Sequence, residues 1–322
     1  MEKKGLNFRI SFFHRPSISL VALFAFLLQS GLCGAAEIAI IKSKNIASYN
    51  EAITGFTVSC SAKITEYDME GNRDRGIQIT KKILNDKPDL VFVVGAEAAL
   101  AAKDQIKNIP IIYAMVLDPV GKGIVGENIA GISLDIPVRS QLNTLKSIAP
   151  KSSKIGVIYN PRKTGPLVEE AKVAAKEMGL TIIDSKIDTP EDVTRALRAF
   201  AEGIDAFWMV PDPTLGSETA FKAILEYSMD KKIPFLAFSK AFVEHGALVS
   251  LSANYANIGQ QACTFATKIQ GGTKPSKIGM SPPKGLELTF NLNTAKKIGA
   301  ENIAANCMSY AASEGYKISV SQ

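Results

Sequence analysis

Histidine is almost missing from this chain of 322 residues, which holds only His14 and His245. His14 falls in the basic segment at the start of the chain, so an imidazole-based triad would rest on His245 alone, and that residue reads as a solvated neighbour of Gly246. The four cysteines, Cys33, Cys60, Cys263 and Cys307, form no CxxC pair and no cysteine–histidine cluster, which removes zinc and thioredoxin-like chemistry. Walker A, HExxH and GxSxG sequences are absent as well. Gly121-Lys122-Gly123-Ile124-Val125-Gly126 has the GxGxxG spacing, but Glu127–Ile132 then runs through a loop into a strand. No helix N-terminus follows to hold a pyrophosphate, so these glycines read as loop conformers. Acidic pairs and lysines show no spacing that argues for catalysis. Neither an enzymatic activity nor a cofactor or metal is expected. Blocks of one charge sign are missing too: 37 Lys+Arg stand against 31 Asp+Glu, spread along the chain, and no surface for nucleic acid is foreseen.

What the chain does have is apolar residues, 46% of the total, enough at this length to bury one or two substantial cores and to exclude disorder. The first of them belong to a leader. Met1–Arg15 carries Lys3, Lys4, Arg9 and Arg15, Ile18–Leu28 is nearly all apolar, and Gly31-Leu32-Cys33-Gly34-Ala35-Ala36 supplies small residues for cleavage after Ala35 or Ala36. The apolar run is shorter than the ~20 residues of a spanning helix. Lipidation at Cys33 is the alternative, ranked second because Leu32, not a small residue, precedes it. Removing residues 1–35 takes four basic residues and one acidic one (Glu2), lowering the formal charge from +6 to +3. Export permits a disulfide among Cys60, Cys263 and Cys307, although the sequence does not choose the pair. Cys263, within the helical run Ile258–Ile269, reads as a buried small apolar residue.

From Ile38 onward, short β-branched runs alternate with amphipathic stretches, the pattern of an α/β protein with parallel sheets. Strands are expected at Ile38–Ile41, Lys63–Tyr67, Leu90–Val94, Ile111–Met115, Ile155–Tyr159, Thr181–Ile183, Ala206–Val210, Phe235–Phe238, Ala247–Leu251 and Leu286–Leu292. The longest helices are expected at Leu167–Met178, Asp192–Glu202, Glu218–Asp230 and Ile258–Gln270. Ser48 with Glu51 fits a capping box, and Thr189-Pro190-Glu191-Asp192 gives a cap, a proline and first-turn acids. One stretch is echoed: Asp89-Leu90-Val91-Phe92-Val93-Val94, a helix, then Ile109-Pro110-Ile111 returns as Asp205-Ala206-Phe207-Trp208-Met209-Val210, a helix, then Ile233-Pro234-Phe235. Two similar doubly wound parallel-sheet lobes follow from this echo. The segmentation is 36–133 plus 254–284 for the first lobe and 134–253 plus 285–322 for the second. Crossings near Ile132–Pro137, Ser252–Tyr255 and Pro283–Leu288 make a multi-strand hinge, with the ligand cleft off the C-terminal strand ends.

Several stretches in this order carry a family resemblance over nearly all of the chain beyond the leader. They are Val93-Val94-Gly95, Ile109-Pro110-Ile111, Asp118-Pro119-Val120-Gly121, Gly131-Ile132-Ser133, Lys154-Ile155-Gly156-Val157, Pro211-Asp212, Gly246-Ala247-Leu248, Tyr255 with Gly259-Gln260-Gln261, and Asn291-Leu292-Asn293-Thr294-Ala295. The chain resembles ABC-transporter substrate-binding proteins, in particular those that include aromatic amino-acid binders. The resemblance implies a type I periplasmic-binding-protein fold. It also implies a monomeric periplasmic receptor that closes on a small molecule and passes it to an ABC permease in the inner membrane. An exported sensing module reporting to a membrane signalling partner is the alternative.

Site residues carried over from that pattern are Ser43, Ala96, Glu97, Asp118, Tyr159, Asn160, Asp212, Thr214, Phe238, Asn254 and Tyr255. Two departures matter. Gly95-Ala96-Glu97 lacks the hydroxyl that relatives place after the third strand, and Pro211-Asp212-Pro213-Thr214 replaces Pro-Asp-Asn. Asp212 is a partner for a ligand amine or a turn aspartate, and Asp118 is mainly a turn residue. Ser43, Asn160, Asn254 and Tyr255 each have a loop, turn or packing role as the alternative to ligand contact. Acids outnumber cations at this rim, since Arg139, Arg162, Arg195 and Arg198 read as surface positions. The ligand is therefore expected to carry an amine, with an apolar body near Tyr159, Phe238 and Tyr255.

Overall fold

Uninterrupted apolar runs such as Leu90–Val94 and Ile111–Val116 are stable as strands only where both faces are covered. The computed structural model describes residues 35–300 and 302–321 and covers both runs in that way. Strands β1 (Glu37–Lys42), β2 (Lys63–Asp68), β3 (Leu90–Val94), β4 (Ile111–Val116), β5 (Ile129–Ser133) and β11 (Met280–Ser281) form the first sheet. Its order is β11-β5-β4-β3-β1-β2, with every pair parallel. Period-2 alternation sorts its side chains. Ile38, Ile40, Phe92 and Val94 meet helices α1 (Ala47–Ser59) and α9 (Tyr255–Gln270). Ala39, Ile41, Val91 and Val93 meet α2 (Arg73–Asp86) and α3 (Ala96–Gln105).

The second sheet takes β6 (Lys154–Tyr159), β7 (Thr181–Lys186), β8 (Ala206–Trp208), β9 (Phe235–Ala237), β10 (Val249–Ala253), β12 (Leu286–Asn291) and β13 (Lys317–Ser321), in the order β13-β12-β10-β9-β8-β6-β7. Only β10 and β12 are antiparallel. Its own core lies among α4 (Val138–Ile148), α5 (Pro161–Glu177), α6 (Val193–Ala196), α7 (Glu218–Lys231), α8 (Lys240–Glu244) and α12 (Asn302–Glu314). Two short helices, α10 (Pro275–Ile278) and α11 (Leu292–Lys297), complete the described elements. The chain passes between the sheets after β5, between β10 and α9, and between β11 and β12. The last two passages touch, because the Asn254 N–H donates to the Gly285 carbonyl at 2.9 Å. A β-carbon on Gly285 would lie 2.1 Å from the Asn257 side chain, which would have to move to admit one.

The sequence echo has a physical basis. The Asp89 carboxylate accepts the Glu37 N–H at 2.8 Å, and the Asp205 carboxylate accepts the Ser153 and Lys154 N–H groups, both at 2.8 Å. Each acid thus pins the start of the strand beside its own, β1 in one sheet and β6 in the other. These backbone bonds, that from Lys154 foremost, hold the Asp205 carboxyl below its ordinary value.

Local departures from expectation have local causes. The Ser48–Glu51 capping box does not form: α1 already starts at Ala47, and the Ile46 carbonyl accepts the Asn50 N–H. The Thr189 box does form, with its N–H on the Asp192 carboxylate at 3.0 Å. The Arg195 bond and these backbone donors lower the Asp192 carboxyl to about 2. The helix expected at Asp192–Glu202 is wound instead as 3-10 turns at Pro190–Asp192 and Leu197–Phe200 around α6. Val193, Ala196, Leu197 and Phe200 stay buried, a spacing that both windings satisfy over so short a run. Helix α5 starts earlier than expected, at Pro161, and is kinked at Thr164 ahead of Pro166, which has no N–H to give the ladder.

Cys263 is not a lone apolar residue: it is disulfide-bonded to Cys60, 203 residues earlier. Helices α1 and α9 run in backbone contact, since β-carbons on Gly55 and Gly259 would lie 2.1 and 2.0 Å from the Ala256 and Ala52 carbonyl oxygens. That close approach brings Cys60, just past α1, onto α9. Cys307 is free and buried, and burial pushes its thiol up to about 12.

The leader and the Cys33 site lie outside the described residues, apart from Ala35 at the leader's end. Among the described residues no helix is long and apolar enough to cross a membrane. Replacing Cys60 and Cys263 together with serine is expected to cost about 2–5 kcal/mol in urea unfolding, since the bond closes so long a loop. In a chain starting at Ala36, Ellman's reagent should find no thiol before unfolding and Cys307 alone afterwards. A second reactive thiol in the unfolded, unreduced protein would contradict the pairing.

Candidate functional site

Parallel sheets bring all their C-terminal strand ends to one edge, where ligands bind in open α/β folds. Both sheets contribute that edge to one cavity. Leu117 and Leu134 follow β4 and β5, Pro211 and Phe238 follow β8 and β9, and Leu251–Ala253 end β10. Ile136 and Gln141 close one side from the first passage between sheets and α4, and Ser239 and Tyr255 close the other from the starts of α8 and α9. The cavity measures about 140 Å³ and its walls are mainly apolar. A space of ~150 Å³ lined by apolar side chains holds a benzene ring. A larger, open groove of about 520 Å³ lies at the opposite edge of the second sheet, where Ser152, Asp205 and Pro234 precede their strands. That is the edge such sheets do not use for ligands.

The polar groups around the cavity are fixed by their neighbours. The Trp208 indole N–H, wholly buried, donates to Gln141 Oε1 at 2.9 Å, and Gln141 Nε2 donates to the Ile136 carbonyl at 2.8 Å. Burial pushes the Tyr255 phenol above its ordinary value; a hydrogen bond with Ser239 opposes the rise, and the Glu51 and Glu287 charges add to it. Lys240 Nζ lies 5.9 Å from the centre of the Tyr255 ring and 3.7 Å from Glu51 on α1. This ion pair joins an element of the first sheet to one of the second. Each of its side chains is about one-third exposed, so by itself it is worth at most about 1 kcal/mol.

Of the residues singled out from the sequence, Phe238 and Tyr255 line this cavity. Most of the others have structural partners. Ser43 is buried and its hydroxyl accepts the Ala98 N–H at 3.0 Å while donating to the Val94 carbonyl. The cap absent at Ala96 is thus supplied from the loop after β1, and Cβ on Gly95 would lie 2.4 Å from that same hydroxyl. Glu97 is exposed in the first turn of α3, where the helix dipole favours it. Asp118 takes φ +46° and accepts the Gly121 N–H at 2.9 Å, a turn role, while Leu117 beside it faces the cavity.

Tyr159, expected to face the cleft, is 1% exposed in the second core, with its hydroxyl donating to Asp184 at 3.2 Å. Alternation along β6 places it on a covered face of the second sheet, within reach of Asp184 on β7. Asp212 is also 1% exposed and accepts the Asn160 N–H at 2.7 Å, the Thr164 hydroxyl at 2.6 Å and the Thr214 N–H at 2.8 Å. Asn160 itself caps α5 through the Arg162 N–H, and Asn254 caps α9 through the Asn257 N–H. Arg139 pairs with Glu177, Arg162 with Asp188 and Arg195 with Asp192, and Arg198 is exposed.

Sequence reasoning missed Gln141 and the apolar walls. Gln141 left a readable sign, a lone amide on the stripe Val138, Leu142, Leu145 and Ile148 of α4. The walls left none, because an apolar residue at a strand end looks the same whether it lines a cavity or fills a core.

A family model described as ABC transporter substrate binding protein matches residues 57–313. The chain is 26% identical over 268 residues to a tyrosine-binding protein of Clostridioides difficile, covering 81% of this chain and 77% of that one. Its fold is similar to a ligand-free, open substrate-binding protein with adhesive properties from Clostridium difficile, at TM-score 0.75 and 23% identity, over 89% of this chain and all of the other. It is also similar to an ABC domain in complex with L-Trp from Streptococcus pneumonia, at TM-score 0.60 and 22% identity, over 83% and 95% of the two chains.

Replacing Asp212 with alanine strands two backbone donors and one hydroxyl. The cost is expected to be about 3 kcal/mol in urea unfolding, at ~1–3 kcal/mol for each buried group left unpaired. An Asp212→Ala protein as stable as its parent would show that the carboxylate does not hold this corner together.

Proposed function

Because this chain belongs to the ABC transporter substrate-binding protein family, whose members bind solutes and are not enzymes, we propose that it is the receptor of an importer for an aromatic amino acid. The observation that carries this reading is the ring-sized apolar cavity at the C-terminal strand ends of both sheets, with Phe238 and Tyr255 in its wall. The ligands named for two relatives, tyrosine and L-Trp, agree with a cavity of that size. The Glu51–Lys240 pair beside Tyr255 supports a zwitterion, since it sets one acid and one cation at the rim. An ammonium exchanges onto Glu51 and a carboxylate onto Lys240, so that each ligand charge replaces a protein one. Ligand bound between the sheets draws them together, a rotation about the three passages between them. The secretory pattern of residues 1–35 supports export to the periplasm, where the receptor acts as a monomer and delivers its ligand to an inner-membrane permease.

Titration calorimetry of the chain starting at Ala36, freed of carried-over ligand, should give saturable binding of L-tyrosine, L-phenylalanine or L-tryptophan. Trp208 is the single tryptophan and is bonded to a residue of the cavity, so its emission should change in step with the heat. No saturable heat with any of the three would refute the reading. Lys240→Met should weaken L-tyrosine binding at least tenfold, about 1.4 kcal/mol, and leave tyramine, which lacks the carboxylate, unaffected. Equal losses for both ligands would remove Lys240 from carboxylate recognition.

A further inference from the structure

We propose that Gln141 selects a ligand whose ring carries a hydroxyl, and so favours a phenol over a plain phenyl ring. This rests on the receptor reading and names the feature that its cavity reads. An amide side chain offers two N–H donors and an oxygen with two acceptor positions, and a free one can turn over to exchange them. Gln141 cannot turn over. The Trp208 indole only donates, so it needs the amide oxygen, and the Ile136 carbonyl only accepts, so it needs the amide nitrogen. Both partners are held by the fold, Trp208 in the second core and Ile136 in the first passage between sheets. Among the described residues these are the only partners of the amide. One N–H and one acceptor position therefore remain, on a residue that is 6% exposed and lines the cavity.

A donor beside an acceptor, both of fixed identity, is the complement of a hydroxyl, which accepts and donates at one atom. The lining side chains Leu117, Leu134, Ile136 and Leu251 offer a ring only apolar contact, and the other polar side chains of the lining are Ser239, Ser252 and Tyr255. Binding a plain phenyl ring leaves the spare N–H desolvated and unpaired, the situation in which sites built for a hydroxyl reject ligands without one. An ammonium or a carboxylate fits less well, since each satisfies only half of the pair.

The test compares L-tyrosine, L-phenylalanine and O-methyl-L-tyrosine by calorimetry on the wild-type protein and on Gln141→Met, which keeps the side chain's length. Wild type should bind L-tyrosine at least tenfold more tightly than L-phenylalanine, with the methyl ether losing most of that advantage. Gln141→Met should reduce the ratio to within about threefold of unity, mainly by losing tyrosine affinity. Thermal unfolding shows whether the variant is folded. If it is not, Trp208→Phe serves instead: it keeps Gln141 but frees the amide to turn, and should lower the same ratio. Equal wild-type affinity for the two amino acids, or a ratio that survives in the variant measured, overturns the proposal and leaves the receptor reading intact. Failure of wild type to bind any aromatic amino acid overturns both.

Discussion

Gly55 and Gly259 let the backbones of α1 and α9 touch, and much of the candidate site hangs on that contact. Any side chain at either position would drive the helices apart. With them in contact, the Cys60–Cys263 bond closes over the far end of the pair, while the near end carries Glu51 on one helix and Tyr255 on the other. One acid of the rim and one aromatic wall of the cavity are thus set by a rigid two-helix unit that also covers a face of the first sheet. The second sheet answers with Phe238, packed on its core, with Gln141, held by Trp208 and Ile136, and with the partly exposed Lys240. The cavity is therefore walled by elements packed against two different cores.

Several aspartates in this fold are committed to backbone donors. Asp89 and Asp205 tie strand starts, Asp212 ties the entrances of α5 and of the 3-10 turn after β8, Asp192 caps a turn, and Asp118 closes a loop. Each stands in for a missing peptide partner at a place where regular structure begins. An aspartate near a strand end in an α/β protein is thus often occupied before any ligand arrives. Glu51, by contrast, lies within a helix and meets Lys240 rather than a backbone N–H.

The sheets were readable because buried parallel strands print continuous β-branched runs, as Leu90–Val94 and Ile111–Val116 do. The repeated Asp plus Ile-Pro pattern was readable for a physical reason, since the acid pins one neighbour strand and the proline opens the other. The pairing of Cys60 with Cys263 was not readable, because the helix contact that brings them together depends on glycines whose partners are 200 residues away in the chain. The side-chain partners of positions drawn from the family pattern were not readable in one dimension: Ser43 caps α3 from the loop after β1, and the Tyr159 hydroxyl donates to Asp184. Apart from Phe238 and Tyr255, the cavity walls are invisible in one dimension. Gln141 left a sign that went unread, an amide where the helix pattern asks for an apolar residue.

The antiparallel pairing of β10 with β12 is the one reversal in two otherwise parallel sheets, and it bears on how the halves can move. It lays two of the three passages side by side, with the Asn254 N–H on the Gly285 carbonyl. Two separate strands could each twist, shear or slide, whereas a hydrogen-bonded ribbon flexes easily only out of its own plane. For the closure proposed above, with the third passage as a second support, such a ribbon would leave the halves in effect a door's freedom: one soft axis, and resistance to sliding or wringing along the others.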